Sequence, residues 1–263
     1  MILEYHRPER IEDALILLAR HAPETRPMGG GTFLNRPSTE AYAVVDLQSL
    51  KLESVRRSGN SLLVGATVTL QNFCAIPDLQ PGLVQAAELE ATCNLRQLAT
   101  LAGAVVTANG RSSLTTVLLA LDASMEILSK SGDLVEHAQV ELGNLLPLRK
   151  QILAGRLITR IKIPLNARLA YEYVARTPVD LPILSVAVAR WPSGRTRLAV
   201  GGFGATPCMA MDGPELAGAE TAAQAVCQEA GDEWASAEYR SAAVTFLVQR
   251  GLNSLEANVN KPD

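Results

Sequence analysis

Met28-Gly29-Gly30-Gly31-Thr32-Phe33-Leu34 is the stretch on which the reading of this chain turns. Three consecutive glycines carry no Cβ, admit positive φ and leave backbone N–H groups uncovered, so the chain can curl around an anion such as a pyrophosphate. The same residues equally make a plain turn. Two familiar phosphate loops are absent. The chain has no GxxxxGK[ST], and no GxGxxG opens a helix after a strand. A dinucleotide held here would need a different architecture.

Outward from the loop, Ile11, Ala14, Leu15 and Leu18 recur at helical spacing, with Pro8 near the start and Pro23 and Pro27 beyond the end. On the other side, Arg36-Pro37-Ser38 closes the segment. Strands are expected at Ala43–Leu47 and Ser61–Ala66, with Gly59-Asn60 as turn residues between them. Leu83, Ala86, Ala87 and Ala91 predict a second helix, and Leu114, Val117, Leu118 and Leu121 a third, N-capped by Ser112 or Ser113. Strands follow at Met125–Ser129 and at Leu157–Ile163, where Ile161 and Ile163 alternate with Arg160 and Lys162 before Pro164. Residues 164–169 read as a boundary. Beyond it, Ile183–Arg190 and Thr196–Phe203 flank Trp191-Pro192-Ser193-Gly194 as a hairpin. Two helices close the chain, one marked by Ala223, Val226, Cys227 and Ala230, the other by Tyr239, Ala243, Phe246 and Leu247, and a polar, frayed tail is expected after Leu252. This order gives an α+β protein of two units.

Composition narrows the function classes. With 24 Lys+Arg against 27 Asp+Glu, the chain lacks the basic excess of a dedicated nucleic-acid binder. No apolar run approaches the ~20 residues that span a bilayer. The opening MILEYHRPER has no apolar leader core, so a cytoplasmic chain is expected. Cys74, Cys93, Cys208 and Cys227 are scattered without a CxxC pair, and His6, His21 and His137 stand apart, so no metal site is expected. Buried small hydrophobes are the simpler reading of the four cysteines.

A second stretch bears on the glycine loop. Thr100-Leu101-Ala102-Gly103-Ala104 leads through Val105-Val106-Thr107 to Asn109-Gly110-Arg111-Ser112-Ser113. Its small residues would let a flat ligand approach, and the helix start beyond presents unpaired N–H groups. Strand, turn and capped helix explain the same residues without a ligand.

The blocks acquire meaning together. Gly29–Leu34, Val44–Leu47, Leu62–Thr69, Asn94–Gly103, Leu118–Ala123, Ile161–Pro164 and Ser236–Arg240 occur in an order that resembles the FAD-binding medium subunit of the molybdenum hydroxylases, the family of xanthine dehydrogenase and aerobic carbon monoxide dehydrogenase. The similarity spans about residues 3 to 252. It implies a PCMH-type FAD-binding domain of two α+β subdomains over 1–165, a C-terminal domain of antiparallel sheet plus helices over 168–255, and a tail over 256–263. It also implies FAD in this chain and partner subunits: a large one with molybdopterin and a small one with iron–sulfur clusters. Electrons would pass from those clusters through FAD to an external acceptor. By this resemblance Met28, Gly29, Gly30, Gly31, Thr32, Phe33 and Leu34 hold the pyrophosphate, Thr100, Ala102, Gly103 and Ala104 form a second clasp, Ser113 lies near the ribose, and Ile161 and Tyr173 lie near the flavin ring. Arg176 and Asp180 match an arginine and aspartate of the C-terminal domain. Ser236–Arg240 with Arg250 match its closing signature, where Ser236 caps the last helix and Glu238 sits in its first turn. No side chain is expected to be catalytic, because the isoalloxazine carries the redox step.

The departures from the family are specific. Its Thr-Ile/Leu-Gly-Gly-Asn is Thr100-Leu101-Ala102-Gly103-Ala104 here, its distal aspartate is Ser113, and a lysine near the flavin is Tyr173. Each lost hydrogen bond costs about 1 kcal/mol net. Three would weaken FAD binding by ~10²-fold. The alternative reading is a degenerate member with weak or no FAD binding that serves as a structural or assembly subunit.

Overall fold

The computed structural model describes residues 1–37, 39–132 and 134–257. Ser38 and residues 258–263 of the expected tail lie outside them. In chain order the elements are β1 (Ile2–His6), α1 (Ile11–Ala19), β2 (Thr25–Met28), β3 (Tyr42–Asp46), β4 (Val55–Ser58), β5 (Ser61–Gly65), α2 (Leu70–Cys74), α3 (Pro81–Glu90), α4 (Cys93–Arg96), α5 (Leu101–Thr107) and α6 (Ser113–Ala120). There follow β6 (Ser124–Ser131), β7 (Leu134–Glu141), α7 (Leu142–Ile152), β8 (Leu157–Pro164), β9 (Arg168–Val174), β10 (Leu184–Arg190), β11 (Thr196–Gly201), β12 (Cys208–Gly213), α8 (Ala219–Cys227) and α9 (Ala237–Ala257). The protein is α+β. It forms two compact units, each assembled from three chain segments: 1–75, 93–107 and 123–163 in the first, 76–92, 108–122 and 164–263 in the second.

In the first unit, β1, β3 and β2 form a parallel sheet in that order, with β3 buried along its whole length. Pro27 sits in β2, an edge strand, where a missing N–H breaks no ladder bond. The apolar face predicted for α1 is the buried one: Ala14, Leu15 and Leu18 pack with Val45, Leu47, Leu128 and Leu157. The second sheet has the order β4-β5-β8-β6-β7. Gly59, at φ +54, turns β4 into β5. In β8, Ile161 and Ile163 are enclosed and Lys162 is exposed, as the alternation requires.

In the second unit, β12-β11-β10-β9 form an antiparallel sheet. The hairpin of β10 and β11 turns at 191–194, with Trp191 N–H donating to Arg195 O and Gly194 at φ +91. Helices α8 and α9 bury Ala223, Cys227, Val244 and Leu247 against Val186, Val188, Leu198 and Val200. Helix α6 packs on β10 and β11, and α3 packs on α6 and β9.

Several expectations need correcting. The inner face of α9 is Arg240, Val244, Leu247, Val248, Gly251 and Leu255, so Phe246 and Tyr239 point outward, Phe246 at 66 % exposure. The frayed stretch expected after Leu252 is helical through Ala257, because Leu255 is anchored in the core. Ala91 and Ala230 lie just beyond their helices. Strands β1, β2, β4, β7, β9 and β12 and helices α2, α4, α5 and α7 were not anticipated.

Candidate cofactor-binding site

The glycine loop leaves β2 at Met28, whose carbonyl accepts from Leu47 N–H at 3.0 Å. Asn35 N–H donates to Gly31 O (3.0 Å) and Arg36 N–H to Phe33 O (3.2 Å), closing a tight turn. Tyr42 Oη donates to Leu34 O at 2.9 Å and pins the turn to β3. Gly31 has φ +70, a conformation L side chains rarely adopt. Among the described residues, the backbone N–H groups of Gly30, Gly31, Thr32, Phe33 and Leu34 have no protein acceptor. Except for the exposed Phe33, these residues are partly buried. Five successive unpaired donors suit a polyanion, and the loop fits a diphosphate.

Gly29 and Gly30 are glycines for a second reason that no local pattern shows. A Cβ on Gly29 would lie 2.7 Å from Thr100 Oγ1, and one on Gly30 would lie 1.6 Å from Leu98 O. The 98–100 segment presses directly on the loop. It is itself sewn to residues 66–70: Leu70 N–H donates to Ala99 O (2.8 Å), Leu101 N–H to Val68 O (2.9 Å) and Ala102 N–H to Ala66 O (3.3 Å), and Thr69 and Thr100 form an isolated antiparallel bridge.

The expected second clasp is the start of α5, and its donors are already engaged. Besides Leu101 and Ala102, Gly103 N–H donates to Thr100 Oγ1 at 3.2 Å and Ala104 N–H to Thr100 O at 2.9 Å. Thr100 is 6 % exposed and Ala102 8 %, whereas Gly103 and Ala104 keep some surface. Residues 101–104 contribute shape beside the loop and offer no free backbone donor. Ile161 is fully enclosed in β8 opposite Met125, so it supports the sheet and offers no surface to a ligand.

Ser113 and Tyr173 belong to the second unit. Ser113, the first residue of α6, is fully enclosed and lies beside the buried Tyr171, whose ring stacks on Tyr173 at 5.9 Å. Tyr173 is partly exposed. Ser112 is the N-cap, its Oγ accepting from Thr115 N–H at 3.1 Å. The carboxylate of Glu90 completes this cap, accepting from Ser112 Oγ (2.9 Å) and Leu114 N–H (3.0 Å). Burial pushes its pKa up to about 7, against the pull of those two donors. Nothing in the sequence singled Glu90 out.

Arg176 lies over Trp234, 5.1 Å from the ring centre, and donates to its carbonyl at 3.3 Å, while Asp180 N–H donates to Thr177 O. The closing signature has its expected local role: Ser236 Oγ accepts from Tyr239 N–H at 3.2 Å. The sequence did not reveal that Arg240 is completely buried. Its guanidinium donates to Ile183 O (2.9 Å), to Ala230 O and to both oxygens of Asp232 (2.8 and 2.9 Å). Burial raises the Asp232 pKa, but Arg240 and the amides of Trp234 and Ala235 outweigh it and hold the carboxyl below its usual range. Arg250 pairs with Glu172 at 2.7 Å. Among the described residues, no group of three or more His, Cys, Asp or Glu is placed to hold a metal, and no helix is long and apolar enough to cross a membrane.

A bare-amide glycine loop at the end of a parallel strand can hold the diphosphate of a nucleotide cofactor. Residues 1–166 match the family described as the FAD binding domain in molybdopterin dehydrogenase, and the chain belongs to that family. It is 25 % identical to the carbon monoxide dehydrogenase medium chain of Afipia carboxidovorans, over 97 % of this chain and 96 % of that one. It is 27 % identical to the glyceraldehyde dehydrogenase medium chain of Sulfolobus acidocaldarius, over 79 % and 78 %. Its fold is that of a carbon monoxide dehydrogenase chain from Hydrogenophaga pseudoflava solved without the Mo-pyranopterin moiety of the molybdenum cofactor (TM-score 0.80, 22 % identity, 98 % of each chain). The class is thus a flavoprotein component of an oxidoreductase, with FAD as its cofactor.

Proposed function

We propose that this chain is the electron-transfer subunit of a molybdenum-containing dehydrogenase complex, with FAD on the Met28–Leu34 loop. The observation that carries the reading is the run of five unpaired amides from Gly30 to Leu34. These can neutralise a diphosphate in a chain of net charge −3 without a lysine. Bound FAD would supply the redox chemistry, accepting electrons from iron–sulfur clusters of a small subunit and releasing them to an external acceptor. Substrate oxidation belongs to a large molybdopterin subunit. Here the chain's own residues only bind and orient. Gly29 and Gly30 admit the 98–100 segment, Thr100 packs between Gly29 and Gly103, Ala102 and Ala104 belong to the same helix start, and Ile161 supports the sheet. In the second unit, Tyr173 offers a partly exposed ring, and Ser113 serves as packing. The sequence domains 1–165 and 168–255 and a cytoplasmic location are part of the same proposal.

The engaged amides of residues 101–104 favour a second reading, a member that holds FAD weakly or not at all and serves assembly. Purification and flavin titration separate the two. A yellow protein, or a colourless one that takes up one equivalent of FAD, supports the electron-transfer subunit. Failure to take up FAD at any concentration supports the assembly role. Co-expression with the two partner subunits then tests the route, through flavin reduction by substrate in the assembled complex.

A further inference from the structure

We propose that residues 175–182, the loop between β9 and β10, form a strap along the groove beside Tyr173, latched by the indole of Trp234, and that release of this latch opens the groove. The loop reads Ala175-Arg176-Thr177-Pro178-Val179-Asp180-Leu181-Pro182. Its ends are joined at the base, where Ile183 N–H donates to Val174 O at 2.8 Å. That closure over a short exposed segment is the form of a small Ω-loop. A groove of about 610 Å³ runs beside it, bounded by Tyr173 of β9, by Ala175, Arg176, Thr177 and Pro178 of the loop, and by Arg250 of α9. The loop is therefore one wall of the groove. All of these residues, and those of the latch, belong to the second unit.

The ties that hold this wall come from two distant stretches. Arg176, at the start of the loop, lies over the Trp234 ring, 5.1 Å from its centre, and donates to the Trp234 carbonyl at 3.3 Å. Arg111, in the turn before α6, lies over the same ring at 4.1 Å and donates to Pro182 O at 2.9 Å and to Leu181 O. One end of the loop is thus tied to Trp234 directly and the other through Arg111. Between the two ties, residues 177–180 are all exposed, Val179 at 89 %, and Asp180 N–H bonds back within the loop to Thr177 O at 3.2 Å. Two like charges share a ring that keeps 38 % of its surface, so each stacking contact is modest and the pair repels. Such a fastening can open while the buried sheet behind it stays folded.

Trypsin reads the latch, because it cuts between Arg176 and Thr177 only when the guanidinium has left Trp234 for the protease. The full-length chain is compared with Trp234→Leu, which removes the aromatic face, and Trp234→Phe, which keeps one. Cleavage after Arg176 should be at least about tenfold faster in the leucine variant and within about threefold of the unmodified chain in the phenylalanine variant. Cleavage after the fully buried Arg240 reports opening of the whole unit and should stay slow in all three. Nitration of Tyr173 by tetranitromethane reports access to the groove and should rise at least about threefold in the leucine variant. Equal cleavage after Arg176 in the leucine variant and the unmodified chain would overturn the latch. An equal rise after Arg240 would overturn it too, by showing that Trp234 supports the unit as a whole. Faster cleavage with unchanged nitration would show that the loop does not close the groove.

Discussion

The carbonyl oxygen of Leu98 stands 1.6 Å from where a Cβ on Gly30 would be, and the carbonyl carbon 2.5 Å. No rotamer change relieves a clash between a Cβ and a backbone carbonyl, so even alanine at position 30 must move one of the two segments. Gly30→Ala is expected to abolish flavin retention and lower the melting temperature. Gly31→Ala meets no atom closer than 3.6 Å and costs only the positive φ, about 1 kcal/mol. Flavin-to-protein ratio after gel filtration ranks the two. Full retention by Gly30→Ala would show that the 98–100 segment does not press on the loop in solution.

Ala104 keeps some surface and its N–H is already bonded to Thr100 O. Ala104→Asn adds an amide without disturbing that bond. FAD affinity should rise, by up to ~10-fold for one good hydrogen bond, or stay level. A tenfold loss in a fluorescence titration would mean that position 104 is not beside the cofactor.

Stability should depend on pH through Glu90. Its folded pKa, raised to about 7 from 4.5, means that the folded chain binds a proton more tightly than the unfolded one. Stability is therefore greatest below about pH 4.5 as far as this group is concerned, declines as pH rises to about 7, and is level above. The full decline is at most about 3 kcal/mol. Glu90→Gln removes this component, so urea midpoints of the variant between pH 5 and 8 should change less than those of the unmodified chain. Parallel curves would refute the raised pKa.

Arg240 should be among the most costly surface-free positions to alter. Arg240→Met removes the cation paired with Asp232 and leaves the carbonyls of Ile183, Ala230 and Gly202 without this donor, a loss of about 3–5 kcal/mol at ~1–3 kcal/mol for each unsatisfied buried group. Arg240→Lys keeps the charge but not the planar fork that reaches opposite acceptors, and should recover only part. Denaturant unfolding measures both. A loss below 1 kcal/mol for the methionine variant would contradict the geometry.

Much of the fold was legible because periodicity reports burial directly. The α1 stripe and the β8 alternation are local patterns with one dominant buried face. Helix α5 was not legible: Leu-Ala-Gly-Ala-Val-Val-Thr has no polar face, contains glycine and β-branched residues, and owes its start to Thr100 and to bonds with Ala66 and Val68. Strand β7 is mostly exposed at a sheet edge, so it lacks the apolar alternation that would mark it. At the site, the glycine loop was readable as an amide cradle, but the long-range approach of Leu98 and Thr100, which makes two of the glycines obligatory, leaves no trace in local spacing. Arg240 was recognised only as part of a signature. Its burial follows from acceptors that converge from residues 183, 202, 230 and 232.

The interleaving of the two units bears on how this gene can be cut. A fragment ending at codon 165 would carry α3 and α6 but not β9, β10 and β11, against which they pack, and would bare Leu83, Leu114 and Leu118, each at most 1 % exposed in the intact chain. A fragment beginning there would lack both helices. Neither half is a self-sufficient expression product, and soluble yield should require the uninterrupted reading frame.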